Sequence, residues 1–200
     1  MPRKTSVPAA CLGFRVRTGR AIVVALGGPA ANPRILFRRE VELCDPRVPE
    51  SRQPHHAGIM PFAPAAPKAV ARGRKAAERV ALAVVKGLAD ELAASGHKLS
   101  GVALVVASNP NPQRLGNEHI RAHALEGILF REVLEAGAKA CRIPACTILE
   151  REAHARATAA LRRPAAELSR AVARFGGQVG SPWRAWEKSA ALGAWLALAV

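Results

Sequence analysis

Apolar positions alternate with small or charged ones from residue 10 to residue 17. Leu12, Phe14 and Val16 fall on one side of an extended chain, and Cys11, Gly13, Arg15 and Arg17 on the other. A period of two predicts a strand with one buried face. Thr18-Gly19 suits a tight turn, and the apolar run 21–26 predicts a second strand, broken by Gly27-Gly28-Pro29 and Asn32-Pro33. Ile35, Phe37, Val41 and Leu43 then interleave with Arg38, Glu40 and Glu42, which predicts a third strand antiparallel to the second. Asp45-Pro46 ends it and opens a long loop over 45–67. Pro46, Pro49, Pro54, Pro61 and Pro64 exclude helix there.

The period then lengthens. A helix is expected over 68–94, entered at Pro67 and left at Ser95-Gly96. The continuous apolar run 102–107 predicts a strand buried on both faces, followed by the loop Ser108-Asn109-Pro110-Asn111-Pro112. Asn117 caps a second helix reaching 139, and 143–149 predicts a fifth strand. Segments 151–161 and 165–175 are helical, with a break at Pro164 and a loop opening at Gly176-Gly177. Ser181 is the expected cap of a final helix with Pro182 at its first position. Trp183, Trp186, Leu192, Trp195 and Leu196 make that helix apolar on most sides, so it should lie buried on the sheet. The chain thus predicts a single α/β domain over 1–200. A three-stranded antiparallel meander followed by parallel crossovers gives a mixed five-stranded sheet with helices on both faces.

A formal charge of +15, mostly from arginine, favours polyanionic partners and makes nucleic acid the default one. The alternative is an Arg-rich protein whose charges are merely solvated. The basic residues spread along the chain, densest at Arg72, Arg74, Lys75 and Arg79 and next at Arg15, Arg17 and Arg20. Cys11, Cys44, Cys141 and Cys146 form no Cys-x-x-Cys pair and read as small buried hydrophobes in a reducing compartment. Met-Pro-Arg-Lys-Thr leads into no apolar signal core, and the apolar run 190–200 is too short to span a bilayer. A cytoplasmic chain with no membrane contact is expected.

The order of elements from Leu12 to Val200 resembles the ribonuclease H-like superfamily, and its Holliday-junction resolvase branch in particular. The stretches Leu12-Gly13-Phe14-Arg15 and Glu40-Val41-Glu42-Leu43-Cys44-Asp45-Pro46 also look like those of an uncharacterised bacterial protein family. The superfamily resemblance implies three or four carboxylates around two divalent metals in members that cut nucleic acid. It places one acid in mid first strand, where this chain offers Gly13, Arg15 and Arg17. It places a second at the end of the fourth strand, where Ser108-Asn109 stand, and the last on the terminal helix, where only Glu187 is available, beside Lys188. The two aspartates of the chain, Asp45 and Asp90, fit none of these places. An arginine repels a divalent cation at short range, so a two-metal nuclease is not expected.

On the second helix His119, His123, Glu126 and Phe130 share one stripe, while Arg121, Arg131, Glu132 and Glu135 read as the face toward water. The stripe therefore points His119, His123 and Glu126 toward the sheet. The trio can hold a divalent metal, can work as a general base with Glu126 orienting a histidine, or can be a buried polar network that only fixes the helix. Arg15 and Glu187 are expected to border the same cleft, where they can tie as an ion pair, with Arg17 beside them as a ligand contact; Ser108 and Asn109 either hydrogen-bond a ligand or serve ordinary turn chemistry. Arg52, His55 and His56, in the long loop, either reach the cleft or sit on a mobile surface. No cofactor other than such a metal is expected. Three functions follow: a nucleic-acid-binding protein with a degenerate ribonuclease H-like fold; a hydrolase or metal-dependent enzyme built on His119, His123 and Glu126; or a structural protein self-associating through the Trp-rich last helix.

Overall fold

The computed structural model describes residues 7–56 and 67–200. Residues 1–6, and the later half of the long loop with Pro61 and Pro64, lie outside the described residues. Strands β1 (Ala9–Arg17), β2 (Arg20–Gly27) and β3 (Arg34–Glu42) form the antiparallel meander. Gly19 turns between the first two at φ +74. Helix α1 (Pro67–Ala94) crosses to β4 (Lys98–Val106), and α2 (Glu118–Ala140) crosses to β5 (Ala145–Leu149). Both β4 and β5 run parallel to β1, and the sheet order is β3-β2-β1-β4-β5. Three helices follow: α3 (Glu150–Leu161), α4 (Ala165–Val179) and α5 (Ala185–Ala199). The predicted mixed five-stranded sheet with helices on both faces is the observed one.

Two cores flank the sheet. Leu12, Phe14, Val16, Val23 and Leu104 pack with Leu88 and Leu92 of α1 and Phe130 and Val133 of α2. On the other face Ile22, Val24, Leu26 and Ala103 pack with Leu168 and Phe175 of α4 and Leu192 and Trp195 of α5. β1 is therefore buried on both faces, not on one. Its alternation is hydrophobic against small, because the second face receives α5 at very close range. A Cβ at Gly13 would stand 1.9 Å from the Ala190 carbonyl oxygen and 2.5 Å from the Ala194 nitrogen. Gly193 of α5 faces back toward Val105, Ala103 and Gly13. The two glycines form one notch in which helix backbone meets strand backbone.

Several boundaries differ from the sequence expectation for physical reasons. Helix α4 runs through Gly176 and Gly177 to Val179 and stops at Gly180, φ +74. Gly176 does not break the helix; it makes room for Trp183, whose ring carbons would stand 2.5 Å from a Cβ there. Helix α5 begins at Ala185, not after Ser181, and Glu187 accepts the Arg184 backbone N–H at 2.8 Å. Trp183 precedes the helix and donates its indole N–H to the Val172 carbonyl at 2.9 Å. The face of α2 with Arg121, Arg131, Glu132 and Glu135 does not stand free in water. Arg74 of α1 bonds Glu132 at 2.9 Å and Thr147 of β5 donates to Glu135, so this face is a seam between elements. Cys11 and Cys44 are buried as expected, but Cys146, on the edge strand β5, is exposed. In the long loop Pro49–Arg52 forms a short 3₁₀ turn, which tolerates a proline at its start. No described helix is long and apolar enough to cross a membrane.

Candidate functional site

Parallel strands present their carboxyl ends together, and in open α/β sheets that edge is where ligands bind. Here the end of β1 brings Arg15 and Arg17, the turn brings Thr18 and Arg20, and the end of β4 brings Val106, Ala107 and Ser108. His123 and Gly127 of α2 and Trp186 of α5 close the sides of a cleft of about 390 Å³. A larger hollow of about 810 Å³ lies between α1 and β4 near Val7 and His97, away from these residues.

Three arginines line the cleft and differ in how they are held; Arg20 pairs with Glu40 at 3.0 Å. The Arg15 guanidinium makes a two-pronged bond to Glu150, Nε to Oε1 at 2.9 Å and Nη2 to Oε2 at 2.8 Å. It also donates to the Val16 carbonyl at 2.9 Å, and Ser189 of α5 donates to Glu150 at 2.6 Å. Burial acts to raise the Glu150 carboxyl, but the hydrogen bonds from Arg15 and Ser189 and the charge of Arg15 overcome it and hold the group below its usual value. Arg17 has no ion-pair partner among the described residues. Its guanidinium lies over the Trp186 ring, 3.8 Å from the centroid. Burial, with Arg20 and Arg15 adding like charge, pushes the Arg17 guanidinium below its ordinary value against the opposing charge of Glu40. Trp186 itself is 40% exposed.

Beside this cleft the long loop reaches α2. It is seated on α1 at Gly73, where a Cβ would stand 2.8 Å from the Glu50 carbonyl, and Arg72 pairs with Glu50. Buried Ser51 and Asp45 knot its beginning: the Asp45 N–H donates to the Ser51 hydroxyl, which donates back to the Asp45 carbonyl. At the end of its described half Glu126 Oε1 accepts the backbone N–H of His55 at 2.7 Å and of His56 at 3.2 Å. Glu126 is wholly buried, and burial pushes its carboxyl up to about 7 against the two backbone donors. Burial and then the neighbouring His123, His119 and His55 hold the His56 imidazole below its usual value. Burial, followed by the charge of Arg74, does the same to His55.

The predicted trio is thereby rearranged. Glu126 does point inward, but His119 and His123 are exposed on the rim of α2. The residue that joins them is His56. Its ring centroid lies 5.3 Å from that of His119 and 4.4 Å from that of His123. The expected Arg15–Glu187 tie is also corrected. Glu187 is buried by its capping role and lies 3.6 Å from Arg38, while Arg15 takes Glu150. Ser108 lines the cleft; Asn109 does not, since it accepts a bond from Arg131 at 2.7 Å. Arg52 lines two smaller hollows, one shared with Thr18 and Arg20, the other with His56.

No family model matches the sequence, and no curated protein matches it. Solved structures do. RuvC of Thermus thermophilus in complex with a Holliday junction substrate superposes with a TM-score of 0.56 at 12% identity, covering 94% of this chain and 91% of that one. A further Thermus thermophilus RuvC structure gives 0.54 at 13% identity, covering 94% and 92%. The fold is ribonuclease H-like, of the resolvase type.

That fold implies divalent metals held by carboxylates, and the residues present do not fit them. The mid-strand position is Gly13, under the α5 backbone, where no side chain has room. The next position on the same face is Arg15. Ser108 stands at the end of β4, and Glu187 is turned to its cap. Glu150 is the carboxylate at this edge, and Arg15 already occupies both its oxygens. Sequence reasoning missed Glu150, though its place just past a parallel strand was a usable signal. The Arg17–Trp186 stack and the meeting of His56 with α2 had no such signal, because each joins residues far apart in the chain.

Proposed function

We propose that this protein binds nucleic acid in the arginine-lined cleft of a degenerate resolvase-type fold and does not cut it by a two-metal mechanism. The observation that carries this reading is the exchange of chemistry at one place. Where the fold implies acids, Gly13 is sealed under α5 and Arg15, Arg17 and Arg20 line the opening. Arg15 is paired with Glu150 and Arg20 with Glu40, which leaves Arg17 as the cation without a counter-charge among the described residues, and a phosphate is its complementary ligand. Trp186, stacked on Arg17 and exposed, adds a flat surface of the kind on which unpaired bases stack. The RuvC neighbour bound to a Holliday junction supports nucleic acid as the polyanion. The overall charge of +15 supplies the long-range attraction.

The test is fluorescence anisotropy with labelled duplex, junction and single-stranded probes over a range of salt. Affinity is expected to fall steeply with ionic strength, and Arg17→Ala to lower the slope of log K against log salt by about one. Affinity indifferent to salt, or unchanged in an Arg17→Ala/Arg20→Ala double variant, would overturn the assignment.

A further inference from the structure

Three imidazoles from two distant parts of the chain meet at the mouth of the cleft, and neither the packing nor the anion-binding reading requires them. His119 and His123 lie one turn apart on α2, and His56 arrives on the long loop. One ring nitrogen from each lies within 4.8 Å of the others. We propose that His56, His119 and His123 form a binding site for a divalent metal of the zinc class, with Glu126 as a positioning residue for His56.

The geometry is close to what the ion needs. Zinc–nitrogen bonds of 2.0–2.1 Å in a tetrahedron place neighbouring nitrogens about 3.3 Å apart. The Nε2 atoms of His119 and His123 stand 3.0 Å apart, so only a small opening is required for that pair. No carboxylate is hydrogen-bonded to either of these two rings among the described residues, and at this distance one Nε2–H can donate to the other ring. With both rings protonated on Nδ1 instead, an ion between them takes both Nε2 lone pairs at once.

His56 supplies an independent observation. Its Nε2 is buried and has no hydrogen-bond partner among the described residues, an unusual state for a polar atom. Its Nδ1 faces Glu126 Oε1 at 3.3 Å. A histidine whose far nitrogen rests on a carboxylate offers its other nitrogen as a lone pair, which is the arrangement metal-ligating histidines adopt. Glu126 also takes the backbone N–H groups of His55 and His56, so one buried carboxylate fixes both the main chain and the ring. Three protein nitrogens leave a fourth position for water or a ligand oxygen. Because His123 also lines the cleft, an ion here would border the same space as Arg15 and Arg17. The site is separate from the acidic position that the fold implies, and no residue is shared between them.

The experiment uses tag-free full-length protein, stripped with chelator and titrated with zinc chloride by calorimetry. Cobalt(II) substitution reads the ligand field in parallel. One zinc per chain is expected, with visible bands of tetrahedral cobalt. His119→Ala and His123→Ala are expected to abolish tight binding, with unchanged melting in chelator because both side chains are exposed. His154→Ala, on the exposed surface of α3, should bind as the parent does. Glu126→Gln is expected to weaken zinc about 10- to 100-fold at unchanged stoichiometry and to shift the cobalt bands. The site is refuted if the stripped parent takes up no zinc, or if His123→Ala binds as tightly as the parent. No nucleic acid enters the assay, so its failure leaves the cleft reading untouched, and the reverse also holds.

Discussion

Replacing Gly13 by alanine adds one methyl group, and the structure gives that group no place to go. The nearest atoms are the Ala190 carbonyl oxygen at 1.9 Å, the Ala194 nitrogen at 2.5 Å and the Ala190 carbonyl carbon at 2.9 Å, all backbone of α5. Side chains can rotate away from an intruder; a helix backbone moves only as a body. To restore contact at 3.4 Å the helix must retreat by about 1.5 Å, and a gap of that size forfeits a large part of the dispersion energy along the seam. Overpacking commonly costs about 1–3 kcal/mol, and an unyielding backbone puts this case at or above the upper end. In a domain of this length each kcal/mol lowers Tm by about 2–4 °C, so Gly13→Ala should melt about 10 °C lower. Gly87→Ala is the matched control. It makes the same chemical change on the exposed side of α1, where nothing lies within 4 Å of the new carbon, and should stabilise by about 0.5–1 kcal/mol. Thermal melting followed by circular dichroism distinguishes the two. If Gly13→Ala melts at the parent's temperature with the same cooperativity, α5 does not seal the strand. A carboxylate at position 13 would then have room, and the exclusion of the acidic metal centre would lose its physical basis.

Two further outcomes are expected. Glu150 is held below its ordinary value, so its ion pair with Arg15 stabilises the fold at neutral pH, fully so above about pH 4.5, and this is lost as pH falls through the depressed value. Glu150→Gln should therefore cost about 1–2 kcal/mol at neutral pH, allowing for the one-third exposure of the carboxylate, and the difference from the parent should vanish in acid; urea titrations at several pH values read both. Trp186→Ala should weaken single-stranded probes by about tenfold without changing the salt slope, since stacking and charge contribute separately, and anisotropy measures each.

The order of strands and helices was legible because each element carries its own period. β1 announces itself through Leu12, Phe14 and Val16, and β4 through an unbroken apolar run. What the period could not convey was depth. The glycine at position 13 looks the same in sequence whether water or a helix lies over it, so a doubly buried strand read as half-buried. The two glycines after Phe175 read as a break, while in the structure one of them is floor space for an indole. The α2 stripe was legible in outline, and Glu126 points inward as its spacing implies. His119 and His123 sit on the edge of that stripe, where the 100° step of the helix leaves the inward direction undecided. Their partner His56 lies more than sixty residues away, and no local pattern could supply it. The same holds for Glu150, whose pairing with Arg15 exists only once β1 and β5 flank β4.

The glycine at position 13 and the pairing of Arg15 at this edge have a common origin in the seating of α5. The Gly13–Gly193 notch lets the helix lie against β1, and with the helix there no side chain can project from position 13 on that face. The outward positions left on β1 are Arg15 and Arg17, at the point where the sheet opens. Arg15 is almost wholly buried and must have an anion; Glu150 provides it, supported by Ser189 from the same helix. That pairing consumes the Glu150 carboxylate, and with Arg20 on Glu40 it leaves Arg17 to set the sign of the cleft. Substituting a single acid into this edge would therefore not restore a two-metal centre. An aspartate at 13 meets the helix, and one at 15 would stand beside Glu150 with its counter-charge gone, two carboxylates in a half-buried space with no third ligand.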